Sequence, residues 1–296
     1  MVNDRPKVLI TGGDGMIGAV LVTRFAAQGW SVYATTRRRD RVDETHPYLD
    51  LSALGASFGA APGDDLPKVD VVVLAAAVAG IGDCEENADA SRQINVDGTL
   101  GVAKAMAARG AFVLLLSSDK VFDGAVPLRS RHDAPCPACA YGRQKADAEA
   151  GVLALGQRAA VLRLSKVLEP NLPLLNGWAT TLANEEPITP FHDLYLAPVS
   201  VDLVARMVLQ IATDRAQGIF HCTGAKDHSY EDLAHILAEQ MHRNPGLIQP
   251  GSCHSINMPA AARPRYTSLE MTEEQSRWGI TAPAFEATAR AIMAGL

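Results

Sequence analysis

Lys-Val-Leu-Ile-Thr-Gly-Gly-Asp-Gly-Met-Ile-Gly, residues 7–18, joins a short apolar run to a glycine-rich turn, and residues 19–28 have helical character. A strand, a glycine turn and a helix in this order provide the backbone N–H groups that bind a phosphate. In such a loop Gly12 permits the tight turn, Gly15 lets the backbone approach a pyrophosphate, and Gly18 lets the helix pack on the strand. The stretch therefore predicts a dinucleotide-binding loop, with a simple turn as the alternative. Its predicted cofactor contacts are Gly12, Asp14, Gly15, Met16 and Ile17.

Further strands are indicated at residues 31–36, 69–77, 111–116 and 159–164, with helical stretches between them. Continuous apolar runs such as 69–77 are typical of parallel strands that helices cover on both faces. The alternation predicts an α/β fold, a Rossmann-type doubly wound parallel sheet whose ligands bind outside the carboxyl ends of the strands. The small residues Ala75, Ala76 and Ala77 at one such end would let a cofactor lie close. A short third strand within 46–51 would place Asp50 and Leu51 near the adenine.

The end of the second strand predicts which dinucleotide is bound. An acidic residue at this position would bind a ribose 2′-hydroxyl. The chain instead reads Thr35-Thr36-Arg37-Arg38-Arg39, and its first acid is Asp40. Arg37 and Arg38 are therefore predicted to bind a 2′-phosphate, which favours NADP(H) over NAD(H). The alternative is that these arginines are merely solvated.

Tyr141 and Lys145 in the stretch Tyr-Gly-Arg-Gln-Lys are four residues apart, so a helix places them on one face. A phenol beside an ammonium forms an acid/base unit, because the positive charge stabilises phenolate and lowers a tyrosine pKa from its reference of about 10. Ser118 follows the strand 111–116 and could face Tyr141 across a nicotinamide pocket. Ser118, Tyr141 and Lys145 are the predicted catalytic residues.

The sequence pattern changes after residue 164, where prolines become frequent. Prolines at positions 170, 173, 187, 190 and 198 break it into short pieces, which suggests a smaller capping region. We predict an NADP(H)-binding domain at 1–167 and a substrate-binding cap at 168–296, with residues 200–222 returning to the first domain.

The overall composition limits the classes of partner that the chain is expected to bind. The 296 residues carry a net charge of −6, which gives no basic field for nucleic acid or an anionic membrane and favours a small-molecule partner. The longest apolar stretch, 71–82, is too short to span a bilayer, and we expect a cytoplasmic protein. Five scattered cysteines fit a reducing compartment. Cys136 and Cys139 have the spacing of a redox or metal half-site, but no second pair partners them, and no metal site is predicted.

Several motifs together resemble a known family. The chain is similar to the extended short-chain dehydrogenases/reductases and, more closely, to their dTDP-4-dehydrorhamnose reductase branch. The resemblance rests on Thr11-Gly12-x-x-Gly15-x-x-Gly18, Cys84-Glu85, Asn95-Val96, Ser117-Ser118-Asp119-Lys120-Val121-Phe122-Asp123-Gly124, Tyr141-Gly142-x-x-Lys145, and Arg263-Pro264-Arg265 leading to Ser268-Leu269.

The resemblance implies a reductase of nucleotide-linked 4-keto sugars that uses NADPH. It implies that Ser118 hydrogen-bonds the substrate carbonyl, Tyr141 donates the proton, and Lys145 holds the nicotinamide ribose and tunes Tyr141. Asn95 would join the cofactor site. The family also implies a possible homodimer through helices within 86–109 and 141–155.

The departures from the family pattern fall where substrate is expected. Lys120 stands where the family usually has Tyr, and Val78-Ala79 follows Ala76-Ala77 where the family usually has Tyr-Thr. A later segment is reduced around Pro198. The predicted substrate-binding residues are Ser118, Lys120, Val78, Arg263 and Arg265, the two arginines because paired guanidiniums suit phosphate oxygens. Two other functions stay open: a nucleotide-sugar epimerase or dehydratase with a retained cofactor, and a non-catalytic dinucleotide-binding regulatory subunit resembling the β subunit of methionine adenosyltransferase.

Overall fold

The computed structural model describes residues 5–54, 66–170, 172–256 and 258–294. These residues form two compact units. The first is drawn from 1–121, 137–163 and 202–220, and the second from 122–136, 164–201 and 221–296. Residues 122–136, which the sequence prediction assigned to the dinucleotide-binding domain, are in the second unit. Within the described ranges, no helix is both long enough and apolar enough to cross a membrane.

The elements alternate as the sequence predicts. The strands are β1 (Lys7–Thr11), β2 (Ser31–Ala34), β3 (Val71–Leu74), β4 (Phe112–Ser118), β5 (Ala159–Leu164), β6 (Val167–Leu168), β7 (Tyr195–Leu196), β8 (Val199–Ser200), β9 (Gly218–Cys222) and β10 (His228–Ser229). The helices are α1 (Met16–Ala27), α2 (Leu51–Leu54), α3 (Ile81–Glu86), α4 (Ala88–Arg92), α5 (Thr99–Ala108), α6 (Ala140–Leu153), α7 (Pro173–Ala183), α8 (Val201–Asp214), α9 (Tyr230–Gln240), α10 (Thr272–Trp278) and α11 (Phe285–Ile292).

Six strands form one sheet in the order β2-β1-β3-β4-β5-β9. The pairs β1–β2, β1–β3 and β3–β4 are parallel. This confirms the predicted Rossmann-type sheet. One face of it carries Leu9, Val72 and Val113, which pack with Val102 of α5 and Val152 of α6 in a single buried cluster. The apolar runs are continuous because helices cover the sheet.

The predicted third strand is reduced to one parallel bridge, between Thr36 and Tyr48. The pairing stops for two local reasons. Pro47 has no N–H to give to a ladder. Asp50 accepts hydrogen bonds from the backbone N and the hydroxyl of Ser52, which starts α2 directly afterwards.

The predicted helical stretch 86–109 is interrupted where the sequence has Asn95 and Gly98. Residues Gln93–Gly98 form a π-helical turn between α4 and α5. A Cβ on Gly98 would lie 2.3 Å from the carbonyl oxygen of Leu51, so only glycine permits this approach. Because π turns are frequent at functional sites, the interruption marks a region of interest.

The second unit has its own core. Leu168, Leu182, Leu233 and Phe285 are among the buried residues of one apolar cluster. Helix α9 begins with a capping box in which the side chains of Ser229 and Asp232 each accept a hydrogen bond from the other's backbone. Ser229 is thus the N-cap of this helix.

Candidate active site

The glycine loop has the predicted geometry. Gly12 adopts a left-handed conformation with φ +72°, and a Cβ there would lie 3.0 Å from the Cα of Ala76. A Cβ on Gly18 would lie 2.1 Å from the carbonyl oxygen of Gly12, so α1 packs against the turn only with glycine at 18. Gly15 caps α1 without a side-chain hydrogen bond. The first N–H groups of α1 are therefore available to an anion.

Thr11 holds two strand ends together, a role that the sequence reading missed. Its hydroxyl oxygen accepts hydrogen bonds from the backbone N of Ala75 (3.0 Å) and of Ala76 (3.1 Å). The end of β3 is thereby fixed beside the glycine loop. Ala75, Ala76 and Ala77 are partly exposed at this edge, where they were predicted to face a cofactor.

A cavity of about 360 Å³ lies beside the loop, lined by Gly13, Asp14, Ala19, Val22, Ala34, Thr35, Thr36, Arg41, Asp43 and His46. The carboxylate of Asp14 accepts hydrogen bonds from the Thr36 hydroxyl (2.6 Å) and from Arg41 (2.9 Å). The Thr36 bond lowers the pKa of Asp14. Arg41 is thus the guanidinium that lines this cavity.

The other arginines after β2 behave differently. Arg37 and Arg38 are exposed, and Arg38 precedes a short 3₁₀ turn at Arg39–Arg41. Arg39 lies over the ring of Tyr48, 4.5 Å from its centroid. The sequence reading overlooked Arg41 because its ion pair with Asp14 joins positions 27 residues apart.

The remaining predicted cofactor residues take three kinds of position. Met16 is 39% exposed at the start of α1, and Ile17 is partly buried there. Asp50 is partly exposed, and its bonds to Ser52 lower its pKa. Leu51 is 6% exposed and belongs to the apolar core, so its side chain packs rather than faces a ligand.

Asn95 is buried in the π turn and holds the segment after β3. Its amide donates to the carbonyl oxygen of Val78 (2.9 Å) and accepts from the backbone N of Val78 (2.8 Å). It also donates to the side chain of Gln144 on α6 (2.7 Å). Its amide hydrogens are therefore engaged by protein, and Asn95 and Gln144 act as a clamp on Val78.

Tyr141 and Lys145 lie on α6, as predicted, and Ser118 ends β4. The Ser118 side chain lies close enough to the Tyr141 phenol to lower its pKa. Lys145 is 4% exposed, and its ammonium donates to the carbonyl oxygen of Leu116 at 2.7 Å. The structure thus brings the three predicted catalytic residues to the carboxyl end of one central strand.

The sequence predicts a lowered pKa for Tyr141, and this prediction is wrong, because the pKa is raised. Burial raises the pKa of the Tyr141 phenol, the carboxylate of Asp119 raises it further, and the Ser118 side chain opposes them. Burial lowers the pKa of Lys145 to about 8, while the Glu149 carboxylate one turn later on α6 opposes that shift. Burial and Asp119 therefore hold the pKa of Tyr141 above its ordinary value, and Tyr141 keeps its proton at neutral pH.

Cys139 has a structural role. Its sulfur caps α6 by accepting a hydrogen bond from the backbone N of Gly142 at 3.4 Å. Cys136 accepts instead from Arg129, and both thiols are free. The C-x-x-C spacing is thus explained by a loop that leads into a helix start.

The predicted substrate residues lie in both units. Lys120 and Val78 belong to the first unit, and the Lys120 ammonium bonds the Asp119 carboxylate at 2.7 Å. Arg263 and Arg265 belong to the second unit. Arg263 is partly exposed and contacts His254, while Arg265 is exposed and lies over the Tyr266 ring.

A parallel Rossmann-type sheet, an open glycine loop and a Ser118–Tyr141–Lys145 set define an extended short-chain dehydrogenase/reductase. The chain belongs to the family described as "RmlD substrate binding domain", which matches residues 6–296.

The relatives include proteins with different names. "Methionine adenosyltransferase 2 subunit beta" of Bos taurus is 30% identical, over 89% of this chain and 80% of the relative. "dTDP-4-dehydrorhamnose reductase" of Streptomyces griseus is 28% identical, over 93% of this chain and 87% of the relative. The solved dTDP-4-dehydrorhamnose reductase of Bacillus anthracis, in complex with NADP, superposes with a TM-score of 0.83 at 20% identity, covering 99% and 100% of the two chains.

Proposed function

We propose that this chain is an NADPH-dependent reductase of a keto group on a nucleotide-linked deoxysugar. The observation that carries the proposal is the placement of Ser118 at the end of β4 together with Tyr141 and Lys145 on α6, where the buried Lys145 ammonium bonds the Leu116 carbonyl oxygen. A phenol that keeps its proton at neutral pH suits an acid that protonates a carbonyl oxygen.

The first unit fits a dinucleotide. The uncapped start of α1 offers N–H groups to a pyrophosphate, and glycines at 12 and 18 keep the turn compact. Arg41, with Arg37 and Arg38, would bind the 2′-phosphate that distinguishes NADP(H). Bound NADPH supplies the hydride.

The catalytic side chains meet the charge that develops on the ketone oxygen. Tyr141 would give its proton to this oxygen, and Ser118 would donate a hydrogen bond to it. General acid help of this kind contributes about 10²–10⁴-fold to a rate. Lys145, with a pKa of about 8, is mostly an ammonium at neutral pH and would hold the nicotinamide ribose.

The substrate class is supported by the S. griseus relative named dTDP-4-dehydrorhamnose reductase. Arg263 and Arg265 would bind the diphosphate of a nucleotide sugar, because guanidiniums match phosphate oxygens. Arg263→Ala should then raise the KM for the nucleotide sugar and leave the affinity for NADPH unchanged. An unaltered KM would remove Arg263 from the substrate site.

A panel of nucleotide-linked keto sugars, assayed for NADPH oxidation, tests the proposal. We expect turnover of at least one member and a loss of about 10²-fold or more in Tyr141→Phe. Tyr230→Phe, which removes the hydroxyl of a partly buried tyrosine in the second unit, is the matched control and should keep full rate. Equal rates for Tyr141→Phe and the wild type would refute the role of the phenol.

A second candidate, a non-catalytic regulatory subunit, is favoured by the B. taurus relative named methionine adenosyltransferase 2 subunit beta. In that case the chain would bind a dinucleotide and assemble with a synthetase. Capture of a methionine adenosyltransferase from native extract, together with no turnover of the whole panel, would favour it.

We also propose a homodimer whose interface is formed by α4, α5 and α6. Sedimentation equilibrium of the purified chain would measure twice the mass of 31.4 kDa. A single monomeric species at micromolar concentration would exclude it.

A further inference from the structure

Four side chains form one connected series in the first unit. The Lys120 ammonium donates to one oxygen of Asp119 at 2.7 Å, and the Ser118 hydroxyl donates to the other oxygen at 2.9 Å. Ser118 in turn lies beside the Tyr141 phenol and acts on its pKa. The series lies in a sheltered place, because the side chains of Lys120 and Asp119 are only 19% and 9% exposed.

The hydrogen bonds of Ser118 leave it no free hydrogen. A serine hydroxyl has one hydrogen to donate and two lone pairs to accept with. The hydrogen goes to Asp119, and one lone pair accepts from the backbone N of Lys120 at 3.2 Å. Before Ser118 can donate to a ligand, its hydrogen must leave Asp119.

We propose that Asp119 and Lys120 are positioning residues, in which the carboxylate directs the Ser118 hydroxyl and the ammonium holds that carboxylate when Ser118 turns to substrate. The inference deepens the proposed reductase function and rests on it. A carboxylate that lost its serine donor without another partner would be left sheltered and unpaired, which is costly. Lys120 removes that cost and so lets Ser118 change partners.

The backbone keeps the pair close to Tyr141. A Cβ on Gly142 would lie 2.0 Å from the carbonyl oxygen of Lys120, so the loop rests directly on the start of α6. Gly142 is the residue after Tyr141. The backbone that carries Asp119 and Lys120 therefore packs against the turn of α6 that carries Tyr141.

Other groups also act on the phenol. Besides Asp119, the thiols of Cys84 on α3 and Cys139 at the cap of α6 face it, and Lys145 lies one turn further along α6. Burial raises the pKa of Cys84, which keeps that thiol neutral at neutral pH. Asp119 is thus the anion whose removal should change Tyr141 most.

The test measures Tyr141 without any substrate. The chain is made with a fluorinated tyrosine whose phenol is more acidic, and fluorine NMR follows the resonance that Tyr141→Phe abolishes. A neighbouring charge shifts a pKa by about 1 to 3 units. We expect Asp119→Asn to lower the Tyr141 pKa by about one unit and Lys120→Met to raise it by about one unit. The variant that carries both changes should lie between the two single variants.

Matched controls separate this effect from general damage. Asp147→Asn removes an exposed carboxylate from α6 and should leave the resonance and its titration unchanged. Lys120→Arg keeps the charge and should keep the wild-type titration, even if Lys120→Met folds poorly. Equal shifts in Asp119→Asn and Lys120→Met, or no shift in either, would overturn the proposal.

A kinetic measurement addresses the positioning of Ser118. With a substrate in hand, Asp119→Asn and Lys120→Met should each lower kcat about tenfold with little change in KM, less than the 10²–10³-fold expected for loss of a donor itself. A rise in KM at constant kcat would contradict positioning. A chain that turned over no keto sugar would remove the reductase proposal, while the opposite NMR shifts would still show the charge pair acting on Tyr141.

Discussion

The buried ion pair behind the active site allows a quantitative prediction. Glu149 lies one turn after Lys145 on α6, and Arg163 on β5 binds both of its oxygens, with N–O distances of 2.7 and 3.0 Å. The two side chains are 3% and 1% exposed. Glu149→Gln keeps the shape of the side chain and removes the carboxylate charge that faces the buried Arg163 guanidinium.

The expected cost follows from that burial. Breaking a buried pair by removing one partner costs about 3–5 kcal/mol, so the free energy of unfolding should fall by that amount. Tm should fall by roughly 6–20 °C, at about 2–4 °C per kcal/mol. The pKa of Lys145 should also fall further, because the Glu149 carboxylate is what opposes its lowering by burial.

The same helix supplies the control. Asp147 pairs with Arg92 at 2.5 Å, but their side chains are 50% and 48% exposed, and Asp147→Asn should cost less than about 1 kcal/mol. Replacing both Glu149 and Arg163 by Met should recover most of the lost stability, since apolar residues can replace a buried pair.

Urea unfolding followed by tryptophan fluorescence measures all four proteins under one condition. The reasoning is refuted if Glu149→Gln costs no more than Asp147→Asn. It is also refuted if the double Met variant is less stable than Glu149→Gln, because the cost would then come from lost shape rather than unpaired charge.

Three further predictions concern the site. Gly142→Ala should cost about 1–3 kcal/mol in urea unfolding, because its Cβ would lie 2.0 Å from the Lys120 carbonyl oxygen, whereas Gly177→Ala in α7 meets open space and should gain about 0.5–1 kcal/mol. NADPH affinity, measured by fluorescence titration, should weaken as the pH rises through about 8, because the Lys145 ammonium loses its proton there; Lys145→Met should lose this pH dependence. The sign for stability is opposite. The unfolded chain keeps this proton up to a pH of about 10.4, so the Lys145 contribution to the free energy of unfolding increases as the pH rises from about 8 to about 10.4. Arg41→Ala should reduce the preference for NADPH over NADH by about tenfold or more, and an unchanged ratio of dissociation constants would exclude Arg41 from the 2′-phosphate site.

The fold could be predicted because its signals are local. The apolar run of β1, the glycine turn and the helix after it are adjacent in sequence, and the structure has them with Gly12 at φ +72°. Buried strands read as continuous apolar runs, so β3 and β4 were equally visible. The predicted strand within 46–51 does not form, because Pro47 and Asp50 favour a turn and a helix start over strand pairing.

For the candidate site, only the relative placement of Tyr141 and Lys145 could be predicted from the sequence. Four residues on a helix place Tyr141 and Lys145 on one face whatever surrounds them. The direction of the Tyr141 pKa depends on burial and on Asp119, which approaches from another element, and sequence spacing carries neither quantity. Arg41 was missed for the same reason, because its partner Asp14 is on the other side of β2 in the sequence.

The two departures from the family pattern at Val78 and Lys120 differ in what they change. Val78 is held through its backbone by Asn95, so the side chain at position 78 can vary without loosening the clamp. Lys120 uses its side chain, and the ammonium bonds the carboxylate that orients Ser118. Exchange at position 78 should therefore alter which substrate fits, while exchange at position 120 should alter how readily Ser118 and Tyr141 act on any substrate. Val78→Thr should change KM ratios among keto sugars, and Lys120→Met should lower kcat for all of them alike.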